Sequence, residues 1–181
     1  MITLEQAINL ARQAHKGQWR RAKEPTMNDI ALAAHLRLKD SVIINDGTKF
    51  EIKDGVMKTY APYISHPLAV MNMMSTEEEK IVAVLHDVIE DTEAELDFQF
   101  NGIKYKDKYY ELPGFICIAL EVLTKPNNKS CSYETYINYI SYNKLATKVK
   151  LADICHNLSC EPSEHAKQKY LKAMQILLKS I

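Results

Sequence analysis

With 181 residues, 46% of them hydrophobic, 25% charged and only five glycines, the chain has the make-up of an ordinary globular protein. That excludes a disordered or repetitive design, and at this length roughly 70% of the unfolded surface is removed from water in a single core. Its 23 basic and 23 acidic residues cancel, which excludes a broad nonspecific footprint on extended nucleic acid and leaves room only for local basic pockets.

No apolar run approaches the ~18 residues that span a bilayer. The N-terminal MITLEQAINLARQ lacks a basic start followed by an apolar core, so the expectation is a cytoplasmic protein without a membrane segment. Cys117, Cys131, Cys155 and Cys160 show no CxxC spacing and are expected as free, buried thiols. A zinc site from Cys155, His156, Cys160 and His165 matches no usual structural spacing.

In chain order, Thr3 and Gln6 form a capping box ahead of the apolar stripe Leu4, Ala7, Ile8, Leu10, Ala11 and Ala14, predicting a helix that ends near Gly17. The basic patch His15, Lys16, Trp19, Arg20, Arg21 and Lys23 follows; it suits a phosphate beside a base, and equally a solvated helix exit. A second helix is predicted over 28–39. The segments SVIIN, TKFEI and VMKTY, separated by Asp46-Gly47 and Lys53-Asp54-Gly55, predict a three-stranded meander. Ser65 and Pro67 open a further helix, with His66 at its mouth.

Thr76 and Glu79 form a second capping box and start the central helix, which the apolar pattern carries through IVAVLHDVIEDT at 81–92. Four ionisable residues interrupt that run. Helical spacing sets His86 over Glu90 and Asp87 over Asp91, and carboxylates held against a core require a counter-charge or a metal. Beyond it, Asn101-Gly102 predicts a second small hairpin. Helices follow from Pro113 to Leu123, from Ser132 to Tyr142, from Lys144 to Leu158 and from Ser163 onward. Within KVKLADICHNLS, Asp153 intrudes on an apolar face and shares a side with Asn157.

His66, His86, Asp87 and Asp153 together make a mixed nitrogen and oxygen donor set, which suits manganese, iron or zinc better than a thiolate-preferring metal. The order H…HD…D resembles the HD superfamily of metal-dependent phosphohydrolases. Four blocks, AINLARQAHKGQWRR at 7–21, PYISHPLAV at 62–70, IVAVLHDVIEDT at 81–92 and KVKLADICHNL at 148–158, resemble the hydrolase domain of the RelA/SpoT family, and the length resembles a stand-alone small alarmone hydrolase.

The resemblance implies one domain over 1–181: a mostly α, HD-domain helical bundle with two small inserted β-hairpin or meander elements, and an insertion at about 22–61. It implies Mn²⁺, or another divalent metal, held by His66, His86, Asp87 and Asp153. Glu90 and Asp91 would serve the attacking water and the leaving oxygen. Arg20 and Arg21 match the basic pair at guanine and phosphates, Lys58 is an alternative to Arg21, and Asn157 matches the asparagine that reaches the ribose. The implied reaction is removal of the 3′-pyrophosphate of (p)ppGpp, a guanosine alarmone. Two alternatives are an HD phosphohydrolase of another nucleotide, such as an adenine alarmone or a nucleoside monophosphate, and a non-catalytic nucleotide-binding or regulatory protein. The chain departs from the family at the 22–61 insertion and at Ile154 and Ser159, where basic side chains often occur.

Overall fold

The structure is a computed structural model that describes residues 1–21, 42–43, 49–53, 56–126, 131–160 and 162–181. The helix predicted over 28–39 and the turns at Asp46-Gly47 and Asp54-Gly55 lie outside the described residues. The chain forms two compact units, one of Met1–His15 with His66–Ile181 and one of Lys16–Ser65.

The first unit is mainly helical: α1 (Leu4–Ala14), α2 (Ser65–Asn72), α3 (Glu77–Leu85), α4 (Val88–Asp91), α5 (Gly114–Leu123), α6 (Tyr133–Ser141), α7 (Lys144–Ser159) and α8 (Glu164–Leu177). Its centre is α3, packed against α1, α5 and α7. All five residues from Ile81 to Leu85 are buried, as befits a helix that is apolar all round. Removing each of the larger side chains, Ile81, Val82, Val84 and Leu85, from water contributes about 1.5–3 kcal/mol.

The Thr76 capping box forms as expected: the Thr76 hydroxyl accepts from the Glu79 amide, and the Glu79 carboxylate accepts from the amides of Ser75 and Thr76. The other Glu79 oxygen accepts from Lys148 Nζ at 2.6 Å, tying the start of α3 to α7. The Thr3–Gln6 box of α1 is likewise present, and Ser132 and Ser163 cap α6 and α8. In α2, Ser65 is itself the first helical residue, with Pro67 in the first turn.

Two expectations are corrected here. The central helix does not run unbroken to Thr92; it stops at Leu85 and resumes at Val88. The His86 side chain reaches back to the Ala83 carbonyl at 2.7 Å, the acceptor an unbroken helix offers to the Asp87 amide. Asp87 accordingly sits at φ −97, ψ −6. The four cysteines are free, but only Cys117 is buried, and Cys155 points outward from α7.

This unit also holds an antiparallel sheet of β5 (Glu95–Asp97), β6 (Gly102–Tyr105) and β7 (Lys108–Glu111) in that order. It is one strand larger than the expected hairpin, with Asn101 and Lys106 both turning at φ 54. Gly102 is required by close approach, since a Cβ there would meet the Tyr109 hydroxyl and the Tyr110 carbonyl at 2.5 Å.

In the second unit, β1 (Trp19–Arg21), β2 (Val42–Ile43), β3 (Lys49–Lys53) and β4 (Val56–Pro62) form an antiparallel sheet of order β1-β4-β3-β2. The three meander strands were expected. Trp19–Arg21 joins them as a fourth, with Arg20 opposite Ala61 and Arg21 opposite Tyr60.

Candidate metal centre

Three helices and one helix break bring the ionisable intruders together. His66 comes from the first turn of α2, His86 from the end of α3, Asp87 from the break that follows, and Asp153 from the middle of α7. His66, His86 and Asp153 are all buried, and each offers one ligand atom within 4.8 Å of the others. His66 Nε2 lies 3.0 Å from Asp153 Oδ1 and 3.6 Å from Asp87 Oδ2, while His86 Nε2 lies 3.2 Å from Asp87 Oδ1 and 3.9 Å from Asp153 Oδ1.

Hydrogen bonding fixes what His86 presents. A carbonyl only accepts, so the contact with Ala83 places the His86 proton on Nδ1 and leaves a lone pair on Nε2 of the neutral ring. That Nε2 is buried with no hydrogen-bond partner among the described residues. It faces two carboxylate oxygens, which also carry only lone pairs. A buried acceptor left in this way costs about 1–3 kcal/mol, and a cation at the point of convergence removes the cost. Two imidazoles and two carboxylates form a donor set that fits a divalent transition metal.

The outer partners keep Asp153 ionised. Burial alone would raise its carboxyl, but the Lys150 ammonium, 2.8 Å from Oδ2, holds it well below the usual carboxylate range. Burial likewise opposes the charge on Lys150; Asp153 outweighs it, so the ammonium is held well above its ordinary value. Lys150 also lies 5.5 Å from the centre of the Tyr136 ring. Asn157 donates to Asp153 Oδ1 at 2.6 Å, confirming the shared helix face.

Glu90 and Asp91 lie on α4, the turn after Asp87, and with Ile89, Thr124, Lys125 and Pro126 they line a cavity of about 510 Å³. Loss of water around the Glu90 carboxylate pushes it above its ordinary value; the Lys125 amide, donating at 3.1 Å, and the Lys150 charge pull it partly back. A carboxylate raised in this way binds a proton more readily than a solvated one.

Arg20, Arg21 and Lys58 belong to the second unit, on the adjacent strands β1 and β4. Arg21 pairs with Tyr60, two residues from Lys58, so strand alternation sets Arg21 and Lys58 on one face and Arg20 on the other. Sequence reasoning missed two residues that contact the candidate centre, Lys150 and His156. Both lie three positions from Asp153 on α7, so the spacing that identified Asn157 reaches them too.

No family model matches the chain, and no curated protein matches it. A solved structure described as a metazoan ortholog of SpoT that hydrolyses ppGpp and plays a role in starvation responses is similar over 98% of this chain and 84% of that one, with a TM-score of 0.55 and 18% identity. At that identity the likeness is one of fold. It agrees with the expected architecture, a mostly α HD-domain fold carrying two small antiparallel sheets. Among the described residues, no helix is long and apolar enough to cross a membrane.

Proposed function

We propose that this protein is a metal-dependent phosphohydrolase that removes the 3′-pyrophosphate of (p)ppGpp, releasing pyrophosphate and GDP or GTP. The observation that carries the reading is the buried, unpartnered His86 Nε2 aimed at the same point as His66 Nε2 and the carboxylates of Asp87 and Asp153. The fold shared with a ppGpp hydrolase supports the substrate class.

His66, His86, Asp87 and Asp153 would hold the ion, Mn²⁺ in this reading. When bound, it supplies Lewis acidity, offsetting phosphate charge and acidifying water. Glu90, whose carboxyl is raised by partial loss of water around it although the residue keeps an exposed edge, takes the proton from the attacking water. Asp91 assists the leaving oxygen. Lys150 and Asn157 keep Asp153 ionised and oriented, and Asn157 is also assigned to the ribose. Arg20 and either Arg21 or Lys58 bind the nucleotide's guanine and phosphates.

Purified protein loaded with Mn²⁺ is expected to release pyrophosphate from ppGpp, and Glu90→Gln to abolish that release while retaining the metal. Intact ppGpp after hours with the loaded wild type overturns the proposal. A second reading, hydrolysis of another nucleotide, is favoured by α7 itself: Ile154, at a position where the family often has a basic side chain, is fully buried. A nucleotide panel scored for pyrophosphate against orthophosphate release separates the two.

A further inference from the structure

We infer that His156 is a positioning residue that sets the tautomer of His66 and so prepares His66 Nε2 to hold a cation; this rests on the reading of the centre as a metal site. The two Nδ1 atoms are 2.7 Å apart, with ring centroids at 4.8 Å and ring planes tilted by 50°. Two imidazole nitrogens at that distance share one proton, because two lone pairs or two N–H groups would repel. Of the two arrangements, only the one in which His66 Nδ1–H donates to His156 Nδ1 leaves His66 Nε2 with its lone pair toward Asp153 and Asp87.

The two histidines of the centre are thus oriented by different acceptors. For His86 the acceptor is a backbone carbonyl, which no substitution removes. For His66, which is 2% exposed, it is a replaceable side chain three residues beyond Asp153 on the same helix. Without it, the His66 Nδ1–H would have to find another acceptor in a buried site or lose its preferred tautomer. One face of α7 therefore supplies a carboxylate ligand and also the group that aims an imidazole ligand from α2.

The test uses the full chain. His156→Phe, which keeps a ring but no acceptor, is expected to weaken Mn²⁺ binding by about 10- to 100-fold, and His156→Gln, whose amide oxygen accepts, to restore it to within a few-fold. In the diamagnetic Zn²⁺-loaded wild type, long-range ¹H–¹⁵N correlation of the imidazoles is expected to show His66 protonated at Nδ1 and His156 unprotonated at Nδ1. That spectrum decides the matter even if His156→Phe does not fold. The inference is overturned by a folded His156→Phe protein that binds Mn²⁺ as tightly as the wild type, or by a loaded spectrum with the shared proton on His156. Intact Mn²⁺ binding without ppGpp hydrolysis overturns the proposed function and leaves this inference standing, whereas a wild type that binds no divalent ion overturns both.

Discussion

In the unit built from Met1–His15 and His66–Ile181, the polar residues of interest are buried and held by protein groups on several sides. Asp153 contacts Lys150, Asn157 and His66; His86 contacts Ala83; and His66 contacts His156. In the unit Lys16–Ser65, the basic side chains of interest sit on two paired strands, with Arg21 exposed and Arg20 and Lys58 partly so. Buried charges cannot move without breaking the fold, which is how a fixed ligand geometry is made; strand residues with part of their surface in water are replaced at less cost to the fold. Substitutions of the buried cluster in the first unit should therefore cost stability, metal and turnover together, and those of the basic residues in the second should act mainly on nucleotide affinity.

The largest effect is expected at Asp153. Its replacement by Ala strands the Lys150 ammonium and removes a ligand, so urea denaturation should show a loss of about 3–5 kcal/mol and turnover should disappear. Glu90→Gln comes next, with kcat lower by about 10²–10⁴-fold and Mn²⁺ affinity retained, because the role proposed for this side chain is to handle a proton rather than the ion. Arg20→Ala should raise KM by about 10- to 100-fold, the worth of a hydrogen bond to a charged group, while costing clearly less stability than Asp153→Ala. Comparing Arg21→Ala with Lys58→Ala by KM decides which of these same-face residues binds the nucleotide. If these strand variants lose stability as Asp153→Ala does, the contrast between the units fails.

The smallest effect belongs to Glu79, which touches no ligand. Glu79→Ala should cost about 0.5–2 kcal/mol by removing a helix cap and a tie to α7. The Lys148 hydrogen bond lowers the Glu79 carboxyl below its ordinary value of 4.5. Its ionised form thus stabilises the fold above that value, and this contribution is lost as pH falls through the lowered one. The difference in urea midpoint between wild type and Glu79→Ala should be full at pH 7 and shrink below pH 4.5.

What could be read from the sequence follows the same divide. Helices announced themselves through local signals: Thr3–Gln6 and Thr76–Glu79 cap as their spacing indicates, and the helices expected from Ser132 and Ser163 start there, with those serines as caps. Charged intruders in apolar runs picked out His86, Asp87 and Asp153 for the same local reason. The break after Leu85 escaped because the apolar pattern continues unchanged across it, and the contact of His86 with the Ala83 carbonyl that accompanies it has no signature in that pattern. Trp19–Arg21 escaped as a strand because its partner β4 lies some forty residues away in sequence, and no local pattern encodes that pairing. His156 escaped because its role depends on a contact with His66, 90 positions distant.

The central claim is that His66, His86, Asp87 and Asp153 converge on one divalent cation. Calorimetric titration of the metal-stripped protein with Mn²⁺ tests it most directly. One saturable ion per chain is expected in the wild type and in Arg20→Ala, and none at the same concentrations in His86→Ala. Absence of saturable uptake by the wild type, or unchanged affinity in His86→Ala, would contradict it.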